Sequence, residues 1–133
     1  MNENVELMRE GIEAFNRGDL ETVLKPMHPD IEWQSLDTLP DAGTYRGREG
    51  VREFWRTQTD MFQSFRLHMD ECVPVGEHYV LATIWVSGEG TQSGAAVESP
   101  AFFQIGEIRD RQVMWSGQFS TESDAREAAG LRG

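Results

Sequence analysis

Val5, Met8, Ile12 and Phe15 recur at intervals of three and four, which puts them on one stripe of a helix. Gly11 interrupts that stretch. Glycine is costly inside a helix, so it implies a packing need or room left for something. Gly18 ends this helix, and Asp19 is placed to cap a second one carrying Leu20, Val23, Leu24 and Met27. Pro26 and Pro29 stop it. Ile31-Glu32-Trp33-Gln34 alternates apolar with polar and predicts a short strand. Residues 35–46, with Pro40 and Gly43, read as a loop long enough to form a lid or a mouth. Gly47 opens a third helix with Val51, Phe54, Trp55, Met61 and Phe62 on one side.

The period then changes from 3.6 to 2. Phe65, Leu67 and Met69 alternate with Arg66, His68 and Asp70. A turn at 75–78 leads to a strand over Tyr79–Ser87, and a glycine-rich turn at 88–94 leads to a long strand over Ala95–Ile108. Pro100 should bend or bulge that strand, because proline cannot donate to a ladder. After a tight turn at 109–111 comes a last strand, Val113–Ser120, and then a short helix capped by Ser123 and ended by Gly130. Three helices with an embedded strand, followed by a four-strand antiparallel meander, define an α+β fold in one domain, 1–133. The strand from Tyr79 to Val86 is apolar on both faces, whereas antiparallel sheets normally wet one of them. Three short helices cover only one side. The other side is expected to meet a second copy, giving a homodimer through Val80, Ala82, Ile84, Phe103, Ile105 and Trp115.

Composition narrows the function. The chain has 133 residues and a formal net charge of −11, a field that repels phosphate backbones and anionic lipid. No nucleic-acid or membrane partner is therefore expected. The single cysteine, Cys72, excludes an internal disulfide and has no neighbouring cation to activate it. The acidic N-terminus lacks a basic start and an apolar segment, so a cytoplasmic protein is expected. His28, His68 and His78 show no zinc spacing, and residues 88–94 join two strands rather than opening a helix as a phosphate cradle does. No metal or cofactor is expected.

Four stretches in order carry a family resemblance. Ala14-Phe15-Asn16-Arg17-Gly18-Asp19-Leu20 resembles the junction between the first two helices of nuclear transport factor 2-like proteins. His28-Pro29-Asp30-Ile31-Glu32-Trp33 resembles their first strand, and Tyr45-Arg46-Gly47-Arg48-Glu49-Gly50-Val51 before Phe54-Trp55 the start of their third helix. Ala125 to Leu131 resembles a tail common in the SnoaL-like branch. The resemblance implies a cone, in which a curved antiparallel sheet wraps over the helices around one apolar pocket. Its members include ketosteroid isomerases, polyketide cyclases, dehydratases and binding domains without catalysis, so fold alone does not give function.

In such a cone, alternation points Trp33 and Ser35 inward, with Tyr79, Leu81, Thr83 and Trp85, with Phe102 and Gln104, and with Met114, Ser116 and Gln118. Phe15, Trp55 and Met61 join them from the helices, and Tyr45 and Arg46 line the mouth. The mixture suits a flat or apolar molecule, polyketide- or terpenoid-like, carrying one or two oxygens. The resemblance to ketosteroid isomerases would require a base on the first strand, a tyrosine on the first helix and an acid on a later strand. Those positions hold Ser35, Gly11 and Gln104, so classical steroid isomerisation is not expected. Asp37, and Asp41 beside it, sit on the rim loop, where Asp37 could swing in as a general base; Gln104 could donate a neutral hydrogen bond to a carbonyl. Two kinds of function remain open: a cofactor-free isomerase, cyclase or dehydratase, or a ligand-binding or protein-interaction dimer that catalyses nothing.

Overall fold

A computed structural model describes residues 2–39 and 42–132; Pro40 and Asp41 of the rim loop lie outside the described residues. Helices α1 (Glu3–Asn16) and α2 (Leu20–Leu24) are followed by β1 (Met27–Gln34), β2 (Thr44–Arg46) and α3 (Gly47–Met61). Strands β3 (Phe62–Val75), β4 (Tyr79–Gly90), β5 (Ala96–Glu98), β6 (Phe102–Arg109) and β7 (Gln112–Phe119) come next, then α4 (Glu122–Arg132). The sheet runs β2-β1-β7-β6-β4-β3, with β5 appended to β4. The four long strands β3, β4, β6 and β7 form the antiparallel meander, and β1 joins β7 in parallel.

The junction after α1 shows why its sequence takes this form. Asn16 uses its whole side-chain amide on one residue of β3: Nδ2 donates to the Leu67 carbonyl at 2.9 Å, and Oδ1 accepts from the Leu67 N–H at 2.9 Å. A side chain thus stands in for a missing strand partner beside a bulge between Gln63 and Arg66. Gly18, at φ +79°, turns the chain in a conformation that favours glycine. Asp19 then caps α2 through the backbone N–H and the hydroxyl of Thr22.

Several local expectations change. Residues 44–46 form an edge strand on β1 instead of loop. Pro100 divides the expected long strand into β5 and β6. The His28 ring is used locally: its Nδ1 accepts from the Asp30 N–H at 3.0 Å. The last helix starts after Thr121, whose hydroxyl accepts from the Asp124 N–H, and runs through Gly130.

The larger correction concerns β4. Ala82 lies opposite Gln104, and Ile84 opposite Phe102, while Leu81 lies opposite Ile105 and Thr83 opposite Phe103. Opposed residues share a face. Val80, Ala82 and Ile84 therefore pack inward, with Val5 of α1 and with the aromatic cluster of Trp33, Phe54 and Trp55. Leu81 belongs to the outer face with Tyr79, Ile105 and Trp115, and Thr83 follows it. Both alternating sets of β4 are apolar from Tyr79 to Ala82, and Thr83 is the one polar residue before Ser87, so the pattern marks the faces weakly. Met114 is displaced as well. It is the extra residue of a bulge between the Glu107–Trp115 and Ile108–Val113 pairs, so Val113 and Ser116 both reach the inner side.

The outer face has a cover of its own. Ala125 and Ala129 of α4 are buried against Tyr79, Leu81, Ile105 and Trp115. Arg132 completes the contact: its guanidinium lies 4.5 Å from the Trp115 ring centroid and donates to Glu107 at 2.8 Å. Of the surface expected to face a second copy, Val80, Ala82 and Ile84 are internal, Ile105 and Trp115 lie under α4, and Phe103 stays half-buried.

Candidate functional site

The helices do not fill the inner face. A cavity of about 80 Å³ lies between them and the sheet. Leu7, Met8, Gly11, Ile12 and Phe15 supply the α1 wall. Val23, Pro26, Met27, Trp33, Trp55 and Leu67 form the sides. Gln104, Gly106, Ile108, Val113 and Ser116 make the floor on β6 and β7. The missing side chains of Gly11 and Gly106 help create the space. A Cβ at Gly11 would meet nothing within 4 Å, and one at Gly106 would lie 3.7 Å from the Met8 methyl. Leu7, Gly11 and Pro26 also line an outer cleft with Glu10, Thr22, Lys25, Arg111 and Gln112. These three shared residues form the neck between cavity and surface.

The floor is apolar except for a buried hydrogen-bonded relay. The Leu36 N–H donates to Gln118 Oε1 at 3.3 Å, and Gln118 Nε2 reaches Gln104 Oε1 at 3.5 Å. Gln104 Nε2 donates to Ser116 Oγ at 3.0 Å, and that hydroxyl donates to the Ile105 carbonyl at 3.2 Å. Gln104, Ser116 and Gln118 are each at most 6% exposed, so these bonds are what make burial of three polar side chains tolerable. No side chain lining the cavity is ionisable.

The residues expected to line the pocket fall in five places. Phe15, Trp33, Trp55, Gln104 and Ser116 meet at the cavity. Phe102 and Tyr45 belong to the inner aromatic cluster but do not reach it; Tyr45 packs on Phe54 with ring centroids 5.1 Å apart. Ser35, Gln118 and Asp37 lie at a separate cleft against α4, shared with Asp124 and Glu127. Ser35 is held there by Gly43, whose N–H donates to Ser35 Oγ at 3.0 Å. Asp37 is exposed in that cleft rather than turned into the cavity. Leu81 and Thr83 are on the opposite face of the sheet, and Met61, at the end of α3, is 49% exposed.

Sequence reasoning took Gly11 as a sign of room left for something but did not place it, or Leu7, Met8, Ile12, Val23, Pro26, Met27, Leu67, Gly106, Ile108 and Val113, at the cavity. Leu7 and Gly11 are one helical turn apart, which is the signal that could have found the neck. Elsewhere, the Cys72 thiol is pushed up to about 11 by burial, so it stays a thiol at neutral pH. His68 stacks on Trp85 at 3.8 Å and meets Ser87 Oγ at 2.7 Å, on strands β3 and β4 and away from the cavity.

A curved seven-stranded sheet over helices, with a cavity between them, is the architecture of the nuclear transport factor 2-like superfamily. Residues 8–114 match the family model of the SnoaL-like domain, and the chain belongs to that family. Solved structures agree in fold. A nuclear transport factor 2-like protein of unknown function from Burkholderia pseudomallei is 23% identical, with a TM-score of 0.77 over 93% of this chain and 95% of that one. TerC, co-crystallised with polyporic acid, is 22% identical, with a TM-score of 0.76 over 93% and 95%. A protein from Xanthomonas campestris, provisionally designated a polyketide cyclase, is 20% identical, with a TM-score of 0.72 over 93% and 96%. No curated protein matches the sequence. Among the described residues, no helix is long and apolar enough to cross a membrane.

Proposed function

We propose that this chain binds a small, neutral, largely apolar molecule in the cavity beneath α1. The observation that carries this reading is the lining: aliphatic and aromatic side chains around one amide and one hydroxyl, with no ionisable side chain. Such a wall excludes charged ligands, because nothing in it offsets their desolvation. The co-crystallisation of TerC with polyporic acid is in keeping with a small-molecule role in this fold.

The volume limits the ligand. Sites for drug-sized molecules span about 300–1,000 Å³, so about 80 Å³ fits a single ring better than a polyketide. Met8 is the adaptable wall element, since an unbranched thioether chain repacks easily around a guest. General acid–base catalysis needs a titratable group within hydrogen-bond reach of the substrate. The lining has none and Asp37 lies at another cleft, so binding without turnover fits the geometry better than isomerase, cyclase or dehydratase chemistry.

Thermal unfolding with cyclohexanone, acetophenone and small terpenoid ketones at millimolar concentration tests the proposal. A ligand that binds only the folded state raises the midpoint. Upward shifts with these compounds and none with their charged carboxylate counterparts are expected; no shift with any of them contradicts the reading. Turnover of a bound ketone that vanishes in Asp37→Asn would favour the enzymatic alternative.

A further inference from the structure

The lining changes character at the neck. On the inner side no side chain is ionisable. On the outer side the chain forms a cleft of about 420 Å³, which shares Leu7, Gly11 and Pro26 with the cavity and adds Glu10, Lys25, Arg111 and the polar Thr22 and Gln112. An apolar pocket and a polar cleft thus meet across three residues that carry no polar side-chain atom.

Gly11 has no reason at the neck within the chain itself. It lies inside α1 and is not among the glycines with positive φ, so its backbone conformation does not demand glycine. A Cβ there would meet nothing within 4 Å, so packing does not demand it either. Glycine nonetheless costs a helix stability relative to alanine. The space beside Gly11 is therefore left for something other than this chain.

The polar groups beyond the neck are free to meet it. Among the described residues, no hydrogen bond or ion pair engages the side chains of Glu10, Lys25 or Gln112. The Thr22 hydroxyl is spent on Asp19, and Arg111 is paired with Glu3. What remains is an acceptor, a donor and an amide that does both. The two uncommitted charges have opposite signs, so the cleft favours no net charge in its occupant. Size points the same way. The cavity alone falls below the range of about 300–1,000 Å³ for drug-sized ligands, and the cleft brings the site within it.

We infer that the ligand has two parts: an apolar ring held in the cavity, and an uncharged chain that passes Gly11 and ends in a hydroxyl or amide group in the outer cleft. This rests on the cavity being the binding site and makes the cleft a second subsite of it.

Toluene and 5-phenylpentan-1-ol test this, because they share a ring and differ in the chain. Both are titrated by NMR into the wild type and Gly11→Leu. In the wild type each should move the methyl signals of Ile12, Leu67, Ile108 and Val113, and the alcohol alone should also move the Thr22 methyl and the Gln112 side-chain amide. In Gly11→Leu the alcohol's affinity should fall about tenfold more than toluene's, because a new side chain overpacks an occupied passage and merely narrows an empty one. An alcohol that moves the cavity methyls without Thr22 and Gln112, or equal weakening of both ligands in Gly11→Leu, overturns the inference and leaves the cavity reading standing. Unmoved cavity methyls with both ligands overturn the two readings together. Should Gly11→Leu not fold, the wild-type shifts at Thr22 and Gln112 decide.

Discussion

The two faces of the central sheet are both apolar and are finished in different ways. On the outer face, α4 lays Ala125 and Ala129 onto Leu81, Ile105 and Trp115, and Arg132 fastens its end to Glu107. Small side chains allow close approach, so Leu81 and Ile105 are left only 3% and 0% exposed. On the inner face, α1 meets β6 where Gly11 and Gly106 supply no side chains, and a void remains with a neck to the surface. A sheet apolar on both sides therefore need not imply a second copy. One face can be covered in part by a helix of the same chain, and the other left open for a guest.

The largest expected effect distinguishes these faces. Leu81→Ala should cost about 2–5 kcal/mol of stability, as deletion of a buried leucine does, and should loosen α4 in hydrogen exchange while leaving ligand affinity unchanged. A change in affinity with little loss of stability would return Leu81 to the cavity. Asn16→Ala should cost about 1–3 kcal/mol, because the Leu67 N–H and carbonyl both lose their partner; denaturant titration measures it, and a neutral result would remove the Asn16 clamp from the account.

The faces were unequally legible in the sequence, for the same reason that they differ physically. On β6 and β7, Gln104, Ser116 and Gln118 mark one alternating set as polar, and Phe103, Ile105 and Trp115 mark the other as apolar. Their faces could be read. On β4 no polar residue breaks the run from Tyr79 to Ala82, and its two faces were exchanged. The cover of the outer face was hidden in Ala125 and Ala129, an i, i+4 pair too small to register as an apolar stripe. Gly11 was legible as room left for something, but a glycine does not say what the room adjoins. The order of the main elements was legible because helix and strand periods differ over long segments.

Acid should weaken the outer face. Burial raises the Glu107 carboxyl, but hydrogen bonds from Arg109 and Arg132 outweigh it and hold the group below its ordinary value of 4.5. A depressed carboxylate stabilises the fold fully above that ordinary value, and its contribution is lost as pH falls through the lower folded value. Urea midpoints should therefore decline below about pH 4.5, less steeply in Glu107→Gln; identical slopes would exclude this ion pair as the cause. The smallest effect belongs to the neck. Gly11→Ala should stabilise α1 by up to about 1 kcal/mol, since a Cβ there meets open space. Gly11→Leu should fold as well but slow ligand association, and unaltered association would place the entry elsewhere.

Methyl NMR of the wild type titrated with cyclohexanone bears most directly on the claim that the inner void is the binding site. The methyl signals of Leu7, Ile12, Leu67, Ile108 and Val113 should move, while those of Leu81 and Ile105 beneath α4 stay still. Shifts concentrated on Leu81 and Ile105, or none at saturating ketone, would contradict it.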